Sequence, residues 1–120
     1  MFKMDVGERT FPKLEDLEEL LDSLKSQLTA LCMSYHIEDL SNLKYWTVAE
    51  SRVQVHVRGK FYQKVQLKGY YGKDGRNRSR TIKSWSVRKA PRDLGRLVLL
   101  YRACKSLDTA IQHLYALGQA

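Results

Sequence analysis

The spacing of apolar residues changes period twice along this chain, and nothing else in the sequence constrains the fold as tightly. From Leu14 to Tyr35 the apolar positions are Leu14, Leu17, Leu21, Leu24, Leu28, Leu31 and Tyr35, separated alternately by three and four residues. Such spacing puts one apolar stripe on a helix. From Ser51 to Lys89 the period becomes two, as expected where successive side chains point to opposite faces of a strand. After Ala90-Pro91 the helical period returns through Leu94, Leu97, Val98, Tyr101, Cys104, Leu107 or Asp108, Ile111 and Leu114, with Gly118 as a terminator. The expected fold is α+β in a single domain, 1–120. It has an N-terminal amphipathic helix over 11–35, a basic three-stranded antiparallel meander over 44–89 and a C-terminal helical segment over 91–117. The helices cover one face of the sheet. A chain of 120 residues is long enough for one modest core.

The local signals agree with these elements. Thr10 is a candidate N-cap and Pro12 falls in the first turn, where proline is tolerated. Acids crowd the early helix (Glu15, Asp16, Glu18, Glu19, Asp22), in keeping with the helix dipole. Ser106 is a candidate internal cap that would split the C-terminal helix, although one long helix is favoured. Trp46 to Val48 either extends the first strand or forms a separate one. The turns carry glycine, at Arg58-Gly59-Lys60 and Lys73-Asp74-Gly75. A two-residue Asp-Gly turn would set Trp85 opposite Lys64. A three-residue Lys73-Asp74-Gly75 turn sets it opposite Gln63, and Val87 opposite Phe61. Because a one-residue slip exchanges the faces, burial of Trp85 favours the three-residue turn.

With those registers one sheet face shows Val53, Val55, Val57, Phe61, Val65, Leu67, Trp85 and Val87. The other shows Arg52, Gln54, His56, Arg58, Tyr62, Lys64, Gln66, Lys68, Tyr70, Arg78, Arg80, Ser84, Ser86 and Arg88. No carboxylate is expected on the second face, whereas an ordinary solvated face mixes signs.

Charge follows the same division. Residues 1–50 hold five Lys/Arg against ten Asp/Glu, a net of −5. Residues 51–120 hold sixteen against three, a net of +13. Segregation on this scale points to a polyanionic partner. Lysine and arginine neutralise phosphates, Arg and Gln read base edges, and Tyr rings stack on unpaired bases. The candidate nucleic-acid-binding residues are Arg52, Arg58, Tyr62, Lys64, Lys68, Tyr70, Arg76, Arg78, Arg80 and Arg88. Duplex DNA is favoured over RNA or single-stranded DNA because cations outnumber aromatics on the face. The layout resembles, in layout alone, the three-stranded DNA-binding modules that open some recombinases. The competing class is a protein-binding adaptor or inhibitor whose basic face docks on an acidic protein. A plain basic face kept for solubility is the third reading.

The heptad seam has two readings as well. It packs within the domain, or Leu14, Leu17, Leu21, Leu24, Leu28 and Leu31 pair with a second copy as a homodimer; three heptads alone do not decide. No enzyme is expected. His56 lacks a carboxylate cluster, and no glycine loop carries a Lys-Ser/Thr partner. Cys32 and His36 are at most half of a metal site, so no metal or cofactor is expected. Neither a signal peptide's apolar region nor a 20-residue apolar run occurs, and the two cysteines do not suggest a disulfide scaffold. An intracellular setting, cytoplasmic or nuclear, and no membrane partner are the expectations.

Overall fold

The computed structural model describes residues 13–118. Helix α1 (Leu14–Ser34) is followed by strands β1 (Thr47–Val57), β2 (Lys60–Lys73) and β3 (Arg76–Ser86), then by helix α2 (Leu94–Gly118). The strands form an antiparallel sheet in the order β1-β2-β3, with the helices on one face. This is the α+β meander that the change of period predicts. Thr10, Phe11 and Pro12 lie outside the described residues. Within them the first helical turn is closed by the Lys13 N–H, which donates to the Asp16 carboxylate at 3.4 Å.

Helix α1 ends in a left-handed residue that is not glycine. His36 has φ +57°, the His36 N–H donates to Met33 O at 3.1 Å, and the Ile37 N–H donates to Cys32 O at 3.0 Å. These two bonds satisfy carbonyls that the helix leaves open. Lys83 adds a cation there, its Nζ standing 3.4 Å from Tyr35 O and 3.3 Å from His36 O.

The helices run antiparallel. Tyr35 Oη donates to Asp93 at one end of the pair, and Tyr115 Oη donates to Glu18 at the other. Helix α2 is continuous, so Ser106 does not divide it. The heptad seam is spent inside the chain's own core. Leu21 and Leu28 are buried, and Leu14, Leu17, Leu24 and Leu31 pack against the same cluster. Of the six leucines expected at an oligomerisation surface, Leu21 and Leu28 are thus buried within the chain, while Leu14, Leu17, Leu24 and Leu31 are partly buried against the same core.

The core continues through Leu40, Val48, Val65, Leu67, Leu97 and Tyr101. At its centre the Tyr101 hydroxyl donates to Tyr45 O at 2.6 Å and accepts from Tyr45 N–H at 2.9 Å. Burial pushes this phenol up to about 12. Tyr45 in turn lies against Gly69, where a methyl group would stand 2.6–2.7 Å from three of its ring atoms.

Both hairpins differ in register from the sequence expectation. The turns are two-residue loops, with positive φ at Arg58 (51°) and Gly59 (77°) and again at Asp74 (54°) and Gly75 (71°). That geometry matches the strand twist and sets Val57 opposite Lys60 and Lys73 opposite Arg76. In β1 the result is an exchange of faces. Val53, Val55 and Val57 stand opposite Lys64, Tyr62 and Lys60, while Arg52, Gln54 and His56 stand opposite Val65, Gln63 and Phe61. The expected grouping of the three valines with Phe61, Val65 and Leu67 is therefore wrong. Turn chemistry prevails because this hairpin extends past the helices and neither of its faces is fully buried.

In β3 burial does prevail, by a different device from the one expected. The Lys73-Asp74-Gly75 turn is not lengthened. A β-bulge at Ile82 separates the pair Leu67–Lys83 from the pair Lys68–Thr81, and beyond it Trp85 stands opposite Val65. The extra residue returns Trp85 to the core side. Val87 falls outside the strand.

Candidate functional site

The registers divide the sheet into a helix side and an outer side. On the outer side, β2 contributes Lys60, Tyr62, Lys64, Gln66, Lys68 and Tyr70. Beside that row β1 places Thr47, Ala49, Ser51, Val53, Val55 and Val57, and β3 places Asn77, Ser79, Thr81, Ser84 and Ser86. Among the described residues no carboxylate belongs to this face. Among the described residues the ion pairs are Lys44–Glu38 at 2.9 Å and Arg80–Glu38 at 3.4 Å, so Lys60, Lys64 and Lys68 have no anionic partner there.

Of the ten residues expected to bind nucleic acid, Tyr62, Lys64, Lys68 and Tyr70 share this face. Arg52 stands opposite Val65, on the helix side, though exposed at the rim. The two-residue Asp74-Gly75 turn has the same effect on the β2–β3 arm: Arg76, Arg78 and Arg80 pair with Lys73, Tyr71 and Gly69 and share the helix side. Arg80 is held there. Its Nη1 donates to Tyr45 Oη at 3.2 Å and lies 3.4 Å from Glu38. Burial by itself would raise the Glu38 carboxyl, but Lys44, Arg80 and the Tyr45 hydroxyl outweigh it and hold it below the usual glutamate value. Arg58 and Arg88 occupy exposed turns, Arg58 at the β1–β2 hairpin tip and Arg88 beside Tyr62 and Lys64. Arg58 sits at positive φ in a turn position that favours Asn, Asp or Gly, which puts a cation at the extreme tip at the expense of some backbone strain.

One aromatic on this face was missed by sequence reasoning. The Trp46 N–H donates to Tyr70 O at 2.7 Å, so Trp46 and Thr47 both stand opposite Tyr70 and both project outward. The benzo ring of Trp46 takes the space above Gly72, with Cζ2 2.5 Å from where a Cβ would be, and the residue is 54% exposed. Its one sequence signal is Gly72 itself, which leaves room for a ring on the outer side of β2 as Gly69 does for Tyr45 on the helix side. Lys60, read as a turn residue, also belongs to the face.

The face is broad, carries a row of lysines with Tyr62 toward one end and Tyr70 and Trp46 at the other, and is uncovered by the helices. Among the described residues no three His, Cys, Asp or Glu side chains gather to hold a metal ion, and no helix is long and apolar enough to cross a membrane. No family model, curated protein or solved structure matches the chain.

Proposed function

We propose that this chain is a non-enzymatic nucleic-acid-binding protein, acting on DNA, with the polyanion laid along the outer face of the sheet. One observation carries the reading: Lys60, Lys64 and Lys68 line the central strand of an uncovered face that has no carboxylate, and none has an anionic partner among the described residues. Cations left unpaired in a row supply the sequence-independent part of nucleic-acid affinity by releasing counterions from phosphates. Arg58 and Arg88 extend the row at the hairpin end. The acidic exposed side of α1, with Glu15, Asp16, Glu19 and Asp22, repels phosphate from the helix side and leaves the outer face as the landing surface.

A filter-binding titration at several salt concentrations tests this. With about five phosphates neutralised, the slope of log affinity against log salt is about −4 to −5. Lys64→Ala or Lys68→Ala weakens binding to all sequences alike and reduces the slope by about one. Arg80→Ala, on the helix side and tied to Glu38, is the matched control and changes binding little. Absence of binding at low salt to duplex DNA, single-stranded DNA and RNA alike would sink the proposal.

A further inference from the structure

We infer that the occupant of the outer face is single-stranded DNA rather than a duplex, an inference that rests on the nucleic-acid reading above. The preference for a duplex depends on cations outnumbering aromatics, and the folded registers reduce that excess. Arg52, Arg78 and Arg80 turn to the helix side, whereas Trp46 joins Tyr62 and Tyr70 outside. The strand rows of the face then carry three lysines and three aromatic rings, with Arg58 and Arg88 in the exposed turns beyond them. Trp46 is 54% exposed and Tyr62 50%. A duplex hides the flat faces of its bases within its own stack and presents phosphates and groove edges, so these rings would find no base face to meet. An unpaired strand offers both a phosphate for each lysine and a base for each ring.

The order of the side chains suits such a strand. Along β2 the outer row runs Lys60, Tyr62, Lys64, Gln66, Lys68, Tyr70, and Trp46 follows above Gly72. From residue 60 to residue 72 the track is about 40 Å long at about 3.3 Å per residue. Tyr62 near one end, Tyr70 and Trp46 at the other, and Lys64 and Lys68 between them, with Lys60 beyond Tyr62, form a stacking platform with an electrostatic groove. The platform is also organised in advance. The Trp46 backbone is bonded to Tyr70 O, and its ring rests in a place that any side chain at position 72 would fill. Binding therefore loses little side-chain freedom at that ring.

DNA is favoured over RNA by the neighbouring row. Val53, Val55 and Ala49 line one side of the track with methyl groups. Apolar side chains contact the C5-methyl of thymine, which uracil lacks.

The test uses the purified full chain with three labelled probes of equal length, an oligo-dT strand, an oligo-U strand and a mixed-sequence duplex, read by fluorescence anisotropy and tryptophan emission. The expected result is tightest binding to oligo-dT, with quenching of tryptophan emission. Trp46→Ala weakens oligo-dT binding by about 5- to 150-fold, the range for loss of one stacked base, and leaves the duplex nearly unchanged. Trp46→Phe keeps a ring above Gly72 and retains most of the affinity, which separates lost stacking from a disturbed fold. Duplex binding equal to or tighter than oligo-dT, with Trp46→Ala without effect, overturns this inference and leaves the nucleic-acid reading standing. Tighter binding to oligo-U than to oligo-dT overturns the assignment to DNA. No binding to any of the three overturns the underlying reading as well.

Discussion

At the scale of single residues, the tyrosine hydroxyls hold separate elements together. Tyr101 is fully buried and both accepts from and donates to the backbone of Tyr45, where the chain enters the sheet. Tyr101→Phe leaves a buried N–H and a buried carbonyl without partners, and a loss of about 1–3 kcal/mol is expected by urea denaturation. The same burial raises the Tyr101 phenol from 10.0 to about 12 and raises the Cys32 and Cys104 thiols above 9.0. A group whose pKa is raised on folding contributes stability below its unfolded value and loses it as pH climbs toward the folded one. Stability should therefore hold steady near neutrality and fall above about pH 9, at up to about 1.4 kcal/mol per pH unit for each titrating group. Denaturation profiles from pH 7 to 11 check this, and the Tyr101→Phe profile should be shallower above pH 10. None of this is legible in the sequence, where Tyr101 is one apolar position in a helical stripe.

At the scale of elements, existence and type were legible and register was not. The period of the apolar residues placed both helices and all three strands, because side-chain direction repeats every 3.6 residues in a helix and every two in a strand. Register depends on one residue at a turn or a bulge. Arg58-Gly59 and Asp74-Gly75 each form a two-residue turn, and the bulge at Ile82 then corrects the parity where Trp85 needs the core. A deletion tests that account. Without Ile82, Thr81 still pairs with Lys68 and Lys83 with Leu67, so the ladder becomes regular and Trp85 remains opposite Val65. The variant should fold, losing about 1–2 kcal/mol for the missing partly buried side chain. Cross-strand NOEs between residues 65 and 85 report the register. Their replacement by contacts between 64 and 85 would show that the bulge has another role.

At the scale of the whole molecule, the chain measures 70 × 35 × 23 Å, long because the 14-residue β2 carries both hairpins beyond the helix pair. The core lies under the middle of the sheet, and the hairpin ends remain exposed on both faces. The α1 stripe closes this core, so Leu28→Ala should cost about 2–5 kcal/mol. The melting temperatures of both the parent and the variant should be independent of protein concentration. A concentration-dependent midpoint would return the stripe to a dimer interface. Segregation of charge, the acidic first helix and the basic sheet were all determined by sequence alone, since counting and periodicity suffice for them. Which cations share a face was decided only by the tertiary structure. A strand's pattern says that alternate residues separate, but not which set faces the helices. That choice was made by two-residue turns where no core lies beneath and by a bulge where one does. It moved Arg52, Arg78 and Arg80 off the outer face, where Trp46, bonded to Tyr70 O, takes its place.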